Sequence, residues 1–196
     1  MTSHYFSENQ SSVIRQKEVR YNALKFTTCS GVFSTDKIDT GSNLLIETAI
    51  DFKKRNILDL GCGWGAVGLV FKSVNKLANV TLSDVNERAV ASAKMNAKQN
   101  NLEVKVIKSD GFEKISDFFD LILLNPPQSA GLDVCKRLIQ ESKAHLNEHG
   151  SLLVVARHNK GGSRLADFME SVFGNVEHRA KQSGYRVYCS FQISRI

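Results

Sequence analysis

Short apolar runs that alternate with helix-like segments limit the fold of this chain most strongly. Residues 151–156 are almost all apolar, which is typical of a strand covered on both faces. The runs Asn56–Leu60 and Phe119–Leu124 have the same character. Segments whose apolar residues recur every three or four positions lie between such runs. This alternation predicts a single α/β domain with a mostly parallel sheet.

The same pattern predicts seven strands, at 56–60, 79–83, 104–107, 119–124, 151–156, 175–180 and 185–192. Five helices are predicted at 43–50, 65–75, after Asn86, at 131–147 with a stop at His149-Gly150, and at 162–172. Thr40 or Ser42 is expected to cap the first helix, and Asn86 the third. The last two strands have a short connection and are therefore predicted to form an antiparallel hairpin. Residues 1–40 are predicted to form a small N-terminal flap, and residues 41–196 the main domain.

A glycine-rich turn follows the first strand of the predicted sheet. Asp59 stands at the end of that strand, and Gly61, Gly63 and Gly65 follow it. Glycine lets a ligand approach the backbone closely and permits positive φ. Asp84 ends the next strand, which is where a βαβ nucleotide-binding unit binds a ribose diol. Trp64 is expected to be exposed in this turn, where it either lies near the cofactor or packs within the turn.

Asn125, Pro126 and Pro127 directly follow the run Phe119–Leu124. Each proline fixes its own φ and keeps the preceding residue extended. The side-chain oxygen of Asn125 and the carbonyl oxygen of Pro126 can then face one spot as two acceptors, which suits a planar –NH2 group. A simple turn also explains a Pro-Pro pair, so the functional interpretation depends on the glycine-rich turn upstream.

Four motifs in this order resemble those of the class I methyltransferases that use S-adenosylmethionine. They are Asp59-Leu60-Gly61-Cys62-Gly63-Trp64-Gly65, Asp84, Ser109-Asp110 and Asn125-Pro126-Pro127. The chain resembles most the branch related to small-subunit ribosomal RNA guanine-N2 methyltransferases, including short single-domain archaeal-type relatives. Residues 30–34, with Asp39 and Gly41, are similar to the stretch before the first strand in that branch. The resemblance implies a Rossmann-like, doubly wound α/β fold with a seven-stranded sheet and a C-terminal antiparallel hairpin.

This resemblance also implies S-adenosylmethionine as the cofactor and assigns residues to the site. The cofactor-binding residues are expected to be Val32, Phe33, Asp59, Gly61, Gly63, Gly65, Asp84, Asp110 and Asn125. Asp110 is expected to meet the adenine amino group. The catalytic residues are expected to be Asn125, Pro126 and Pro127. No metal is expected, because the four cysteines show no C-x-x-C spacing.

Position 128 departs from the pattern of nucleic-acid amino-methyltransferases. Those enzymes usually carry an aromatic residue there, and this chain has Gln128. Stacking contributes about 1–3 kcal/mol per base, so its absence weakens the base-methylation interpretation. Two alternatives remain open: Gln128 can hydrogen-bond a base edge, or another aromatic such as Phe33 can stack.

The charge distribution suggests the partner. The formal net charge is +6, and basic residues concentrate between Arg157 and Arg186 and in the flap. If both groups flank the pocket they form a phosphate-binding rim, whereas the alternative is an ordinary surface of mixed charge. The predicted substrate is guanine N2, or adenine N6, in structured ribosomal RNA. Its contacts are predicted at Gln128, Arg157 and Lys160.

Three other functions are considered. A protein glutamine N5-methyltransferase also presents a planar amide, but residues 1–40 leave little room for the substrate-reading domain that such enzymes carry. A dehydrogenase is suggested only by the weak match Gly63-x-Gly65-x-x-Gly68. A non-catalytic, cofactor-binding RNA-associated factor would not need an intact Asn125-Pro126-Pro127.

The setting is expected to be the cytoplasm. No apolar run approaches the roughly 18 residues of a membrane span, and the first residues lack the pattern of a signal peptide. The cysteines are Cys29, Cys62, Cys135 and Cys189, and they are interpreted as buried thiols in a reducing compartment. The sequence does not indicate an oligomeric state.

Overall fold

The computed structural model describes residues 16–29, 37–126 and 131–193 as a seven-stranded sheet with helices on both faces and a separate hairpin. The strands are β1 (Gln16–Tyr21), β2 (Leu24–Cys29), β3 (Asn56–Leu60), β4 (Asn79–Asp84), β5 (Lys105–Lys108), β6 (Phe119–Leu124), β7 (Leu146–Arg157), β8 (Glu177–Gln182) and β9 (Tyr185–Phe191). The helices are α1 (Thr40–Ala49), α2 (Ala66–Val74), α3 (Glu87–Gln99), α4 (Leu132–Ala144) and α5 (Gly162–Phe173). The described helices are all too short or too polar to cross a membrane.

The order of strands in the main sheet is β5-β4-β3-β6-β7-β9-β8. β3 lies parallel to both β4 and β6, and β9 runs antiparallel to β7 and β8. From β3 the chain adds β4 and β5 toward one edge of the sheet, and from β6 it adds the later strands toward the other edge. At this switch point between β3 and β6, a crevice forms outside the carboxyl ends of the two strands. The predicted α/β class, the mostly parallel sheet and the C-terminal hairpin are confirmed.

Two hydrophobic cores cover the two faces of the sheet. Successive residues of a strand point to opposite faces, so Ile57 joins the core below α1, α2 and α3, while Leu58 joins the core below α4 and α5. Both side chains are fully buried. Because each central strand is covered on both sides, its sequence is almost continuously apolar.

The β1–β2 hairpin packs on α3 through an asparagine. Asn96 Oδ1 accepts the backbone N–H of Thr27 at 2.7 Å, and Asn96 Nδ2 donates to the carbonyls of Thr27 and Trp64 at 3.1 and 2.9 Å. The rings of Phe26 and Trp64 lie 5.0 Å apart. The prediction that Trp64 is exposed is wrong, because the hairpin covers it and leaves 3% of it exposed. The domain boundary at residue 40 stays a prediction, and residues 30–34 lie outside the described residues.

Several predicted boundaries need correction, and one of them is β8, which spans Glu177–Gln182 where the sequence predicted 175–180. Asp39 caps α1, rather than Thr40 or Ser42, because its carboxylate accepts the first free N–H groups of the helix. α4 ends at Ala144 and β7 already begins at Leu146, where the sequence predicted a helix to residue 147. Phe119 of β6 pairs with Leu146, and the register then shifts, so β7 contains an irregularity before residues 151–156.

Candidate active site

A cavity of about 580 Å³ opens at the carboxyl edge of the sheet. This volume is within the range of about 300–1,000 Å³ that is usual for ligand pockets. The predicted site residues that line the cavity are Asp59, Gly61, Gly63, Asp84, Asp110, Asn125, Pro126, Arg157 and Lys160. The fold thus brings residues from distant parts of the sequence to one place.

Gly65 is a predicted cofactor contact that is not among the lining residues described. Its φ is 91°, and it directly precedes α2. A Cβ at this position would lie 2.9 Å from Cδ1 of Leu69, one turn along α2, and the positive φ itself favours glycine here. Val32, Phe33, Pro127 and Gln128 lie outside the described residues, and their roles stay predictions.

The Asp84 carboxylate is fixed by backbone donors on both oxygens. Oδ2 accepts the N–H of Gly63 at 2.8 Å, and Oδ1 accepts the N–H of Asn86 at 2.8 Å. A carboxylate has about four acceptor positions, so lone pairs remain for two hydroxyl groups. Asn86 also caps α3 by accepting the N–H of Arg88, which confirms that prediction. This arrangement holds an acid at the place where a ribose diol is expected.

Asp59 is a buried carboxyl group at the cavity wall. Burial raises its pKa to about 7, while the Gly68 N–H, 2.8 Å from Oδ2, opposes the shift and the charge of Asp84 adds to it. A nearby positive charge favours the ionised form of such a group, so the site suits a cationic ligand. Burial also raises the pKa of the Cys62 thiol, with the Asp59 and Asp84 charges adding to the effect, so the thiol is uncharged.

The glycine turn leaves an open cradle beside these acids. Gly61 has a φ of 71°, and no atom lies within 4 Å of the position that a Cβ would occupy. Ser83 is one of the lining residues, and its Oγ is buried without a hydrogen-bond partner in the described part of the chain. A ligand with hydroxyl and amino groups can lie against the open space at Gly61 and bond the acids beside it. The residues present therefore fit S-adenosylmethionine, which carries such groups.

Asn125 extends the carboxyl end of β6 into the same cavity. Its Nδ2 donates a hydrogen bond of 3.0 Å to Ser42 Oγ, near the start of α1. The amide nitrogen is therefore engaged by the protein, and Oδ1 is the end available to a ligand. Pro126, the next residue, is buried and also lines the cavity.

Sequence reasoning missed several cavity residues. Arg137 of α4 bridges two acids, with Nη2 on Asp110 Oδ1 at 2.5 Å and Nη1 on Glu141 Oε1 at 3.2 Å. The four-residue spacing of Arg137 and Glu141 on a predicted helix indicated their ion pair, whereas the contact with Asp110 spans 27 positions and had no local signal. Tyr185, with the Arg157 guanidinium 5.1 Å from its ring centroid, had none, because the two residues meet only through the pairing of β7 and β9.

Of the two groups of basic residues that the sequence predicted beside the pocket, the group between Arg157 and Arg186 contributes to the cavity lining. Arg157 and Lys160 line it, whereas Lys17, Arg20 and Lys25 of the hairpin are not among the described lining residues. Within the described ranges, no cluster of three His, Cys, Asp or Glu side chains could hold a metal ion. Cys62, Cys135 and Cys189 are free and buried, as predicted.

The doubly wound sheet, the acids at the ends of β3 and β4 and the Asn-Pro pair after β6 together define a class I S-adenosylmethionine-dependent methyltransferase. The family model Methyltransferase small domain matches residues 23–189, and the chain belongs to this family. S-adenosylmethionine is its cofactor.

Two kinds of relative are similar along most of this chain. The uncharacterized protein YbxB of Bacillus subtilis (strain 168) is 35% identical over 195 residues, which are 95% of this chain and 97% of YbxB. Ribosomal RNA small subunit methyltransferase C of Haemophilus influenzae (strain PittEE) is 42% identical over 162 residues, 81% of this chain and 48% of that protein. The chain thus spans about half the length of the methyltransferase C relatives.

A solved structure of a methyltransferase has a similar fold. The T. thermophilus 16S rRNA N2 G1207 methyltransferase (RsmC), in complex with AdoMet and guanosine, superposes with a TM-score of 0.78 at 26% identity. The match covers 92% of this chain and 51% of that one.

Proposed function

We propose that this protein transfers a methyl group from S-adenosylmethionine to N2 of a guanine in ribosomal RNA. The observation that carries the proposal is the orientation of Asn125, whose Nδ2 is held by Ser42 so that Oδ1 is left to accept from a substrate amine. The likeness to small-subunit methyltransferase C and to the guanosine-bound T. thermophilus enzyme supports guanine over adenine.

The bound cofactor would supply a methyl group that its sulfonium sulfur already activates. The exocyclic amine of guanine is a weak nucleophile because its lone pair is delocalised into the ring. Asn125 Oδ1 and the Pro126 carbonyl oxygen would accept its two N–H groups and turn the lone pair toward the methyl carbon. They would also stabilise the positive charge that develops on nitrogen.

The mechanism needs positioning more than proton transfer. Holding a nucleophile in line at about 3–3.5 Å can supply about 7–11 kcal/mol of the barrier. The alkylated nitrogen becomes acidic and loses its proton readily, so a strong base is not required. On the cofactor, Asp84 would accept from the ribose hydroxyls, while Asp59 would offer a negative charge to a cationic group. Asp110, fixed by Arg137, would lie at the adenine end.

Arg157 and Lys160 would hold the RNA backbone at the mouth of the cavity. Both side chains are exposed and line the cavity, so their positive charges are accessible to the phosphates of a bound RNA. The target base would then be turned out of its stack to reach Asn125.

The proposal is tested by methyl transfer from labelled S-adenosylmethionine. Purified protein is incubated with naked small-subunit ribosomal RNA, with assembled small subunits and with ribosomal proteins, and the RNA is digested to nucleosides for mass analysis. We expect label in N2-methylguanosine of one of the two RNA substrates. Label in N6-methyladenosine would contradict the assignment of the base, and label in protein glutamine would favour the N5-methyltransferase alternative. Cofactor binding without transfer to any of these substrates would favour the non-catalytic RNA-associated factor.

A further inference from the structure

Ser42 makes a contact that the proposed chemistry does not by itself require. Its hydroxyl oxygen accepts a hydrogen bond of 3.0 Å from Asn125 Nδ2, although the two residues are 83 positions apart in the sequence. Ser42 is 8% exposed, and both residues line the cavity. The contact therefore joins the start of α1 to the predicted catalytic residue within the site.

The backbone of Ser42 is fixed from two directions. The Asp39 carboxylate oxygen Oδ1 accepts the N–H groups of Gly41 and Ser42 at 2.9 and 3.1 Å. On the other side, the Tyr185 ring packs so closely on Gly41 that an added Cβ would lie 2.9 Å from Cε1. A side chain at position 41 would thus push against Tyr185, and Ser42 is presented to Asn125 by a rigid support.

An asparagine side chain can adopt two orientations that fill the same space, because its oxygen and nitrogen ends are similar in size. The two orientations differ in hydrogen bonding, since the oxygen accepts and the nitrogen donates. A substrate amine can donate to Oδ1 but not to Nδ2. In the reactive orientation Nδ2 points away from the amine and needs an acceptor of its own, since a buried donor without a partner is costly. Ser42 Oγ is the acceptor at that position. Because a hydroxyl can also donate, Ser42 satisfies Nδ2 in the reactive orientation, and the substrate amine that binds Oδ1 completes the choice between the two orientations.

We propose that Ser42 is a positioning residue for methyl transfer, whose hydroxyl oxygen accepts from Nδ2 of Asn125 while Oδ1 of the same amide accepts from the substrate amine. The inference rests on the proposed function, because it assigns Ser42 a task within that same site. It adds a residue that acts through Asn125 and does not itself touch the reacting atoms.

Steady-state kinetics of Ser42→Ala test this role. We expect kcat to fall about 10- to 100-fold, which corresponds to leaving one buried donor unpaired. In the free protein the half-buried Asn125 amide can turn toward water in the cavity, so the dissociation constant for S-adenosylmethionine and the melting temperature should stay close to those of the wild type. Ser42→Thr keeps an oxygen at this position and should restore most of kcat. Ser42→Cys keeps the size but has a poor acceptor, so it should lose kcat even if the alanine variant folds badly.

A double-mutant cycle with Asn125→Ala separates positioning from an independent effect. In the Asn125→Ala background, Ser42→Ala should cause no further loss, because the group that Ser42 orients has been removed. Equal fold losses in both backgrounds would overturn the role of Ser42 and leave the proposed function standing. Unchanged turnover in Asn125→Ala alone would instead contradict the role assigned to Asn125, and a wild-type protein that methylates no guanine would contradict the proposed function.

A measurement that needs no substrate completes the test. The side-chain amide signals of Asn125 in 15N-labelled protein should shift in Ser42→Ala and return toward wild-type values in Ser42→Thr. Identical signals in all three proteins would overturn the Ser42 contact, whatever the substrate is.

Discussion

The two sides of the cavity are built in different ways. On the cofactor side, defined by Asp59, Gly61, Gly63 and Asp84, hydrogen bonds join residues of one βαβ unit, such as Gly63 to Asp84 across 21 positions. On the acceptor side, defined by Ser42, Asn125, Arg157 and Tyr185, the contact of Asn125 spans 83 positions. The cofactor side is thus assembled from one local unit, whereas the acceptor side needs four separate elements, α1, β6, β7 and β9.

This difference suggests that the two sides have separate functions. One βαβ unit whose residues bond one another can bind the same cofactor in many proteins, while separate elements can vary in sequence to bind different substrates. We therefore expect changes on the cofactor side to affect cofactor affinity, and changes on the acceptor side to affect turnover or RNA binding.

The largest effect is expected for Asn125→Ala on the acceptor side. Removing one positioned dipole from a transition state usually costs at least about 100-fold in kcat, and we expect a loss of this size in methyl transfer. Calorimetry should give an unchanged dissociation constant for S-adenosylmethionine. Asn147→Ala is the matched control, because Asn147 bonds Asp120 away from the cavity and should keep wild-type turnover. Near-normal turnover in Asn125→Ala would contradict the claim that the acceptor side determines turnover.

On the cofactor side, Asp84→Ala should weaken S-adenosylmethionine binding about 10- to 100-fold. The change removes an ionised acceptor from the ribose diol, and hydrogen bonds to charged groups contribute about 1.5–3 kcal/mol. It also frees the Gly63 N–H that shapes the turn. Titration calorimetry measures the affinity, and Asp117→Ala, at the opposite edge of the sheet, is the control. A change confined to turnover at saturating cofactor would contradict the assignment of Asp84.

The difference in stability between wild type and Asp59→Asn should depend on pH through the Asp59 carboxyl group. Its pKa in the folded chain, about 7, is above the ordinary value of 3.8. Its contribution to stability is therefore full below about pH 4 and is lost as the pH rises through 7. Asp59→Asn should raise the free energy of unfolding relative to wild type by roughly 1 kcal/mol more at pH 8.5 than at pH 6, since one pKa unit corresponds to 1.36 kcal/mol. Denaturant titrations at both pH values measure this difference.

Asp120 provides a control of opposite sign for the same titrations. Burial alone would raise its pKa, but hydrogen bonds from Asn56 and Asn147, with further help from Arg55 and Lys54, lower it. Its stabilising effect is lost only as the pH falls through that lowered pKa. Asp120→Asn should thus change stability equally at pH 6 and pH 8.5. A pH-independent effect of Asp59→Asn as well would show that Asp59 is not the titrating group.

The smallest effect is expected for Arg157→Ala, which removes one charge from the mouth of the acceptor side. RNA affinity should fall a few-fold, and the slope of log affinity against log salt should decrease by about 1, as for one lost phosphate contact. Cofactor affinity should not change. Filter binding across a salt series measures both quantities. Lys105→Ala, at the opposite edge of the sheet, should leave the slope unchanged, and an equal change there would mean that binding is not localised at the cavity.

The cofactor side could be predicted from the sequence because its parts are close together in the chain. An acid at the end of a strand, a glycine turn and a second acid after one helix are visible without knowledge of the tertiary structure. The central strands could be predicted from their composition, since burial on both faces leaves a continuous apolar run in each of them.

The acceptor side could be predicted only in part. Asn125 was visible because the prolines follow it, but its partner Ser42 was interpreted as a possible helix cap, and the adjacent Asp39 takes that role. Tyr185 reaches the cavity only because β9 pairs with β7. The burial of Trp64 depends on the β1–β2 hairpin, whose packing no local pattern indicates. Contacts between distant elements, rather than local propensity, set these positions.

The central claim concerns the direction in which Asn125 presents its oxygen. A crystal structure of the protein with the demethylated cofactor product and guanosine tests it most directly. We expect the exocyclic nitrogen to lie about 2.7–3.2 Å from both Asn125 Oδ1 and the Pro126 carbonyl oxygen, with Ser42 Oγ still bonded to the other end of the amide. A base bound with its amine away from both oxygens, while the cofactor fills the glycine cradle, would contradict the account.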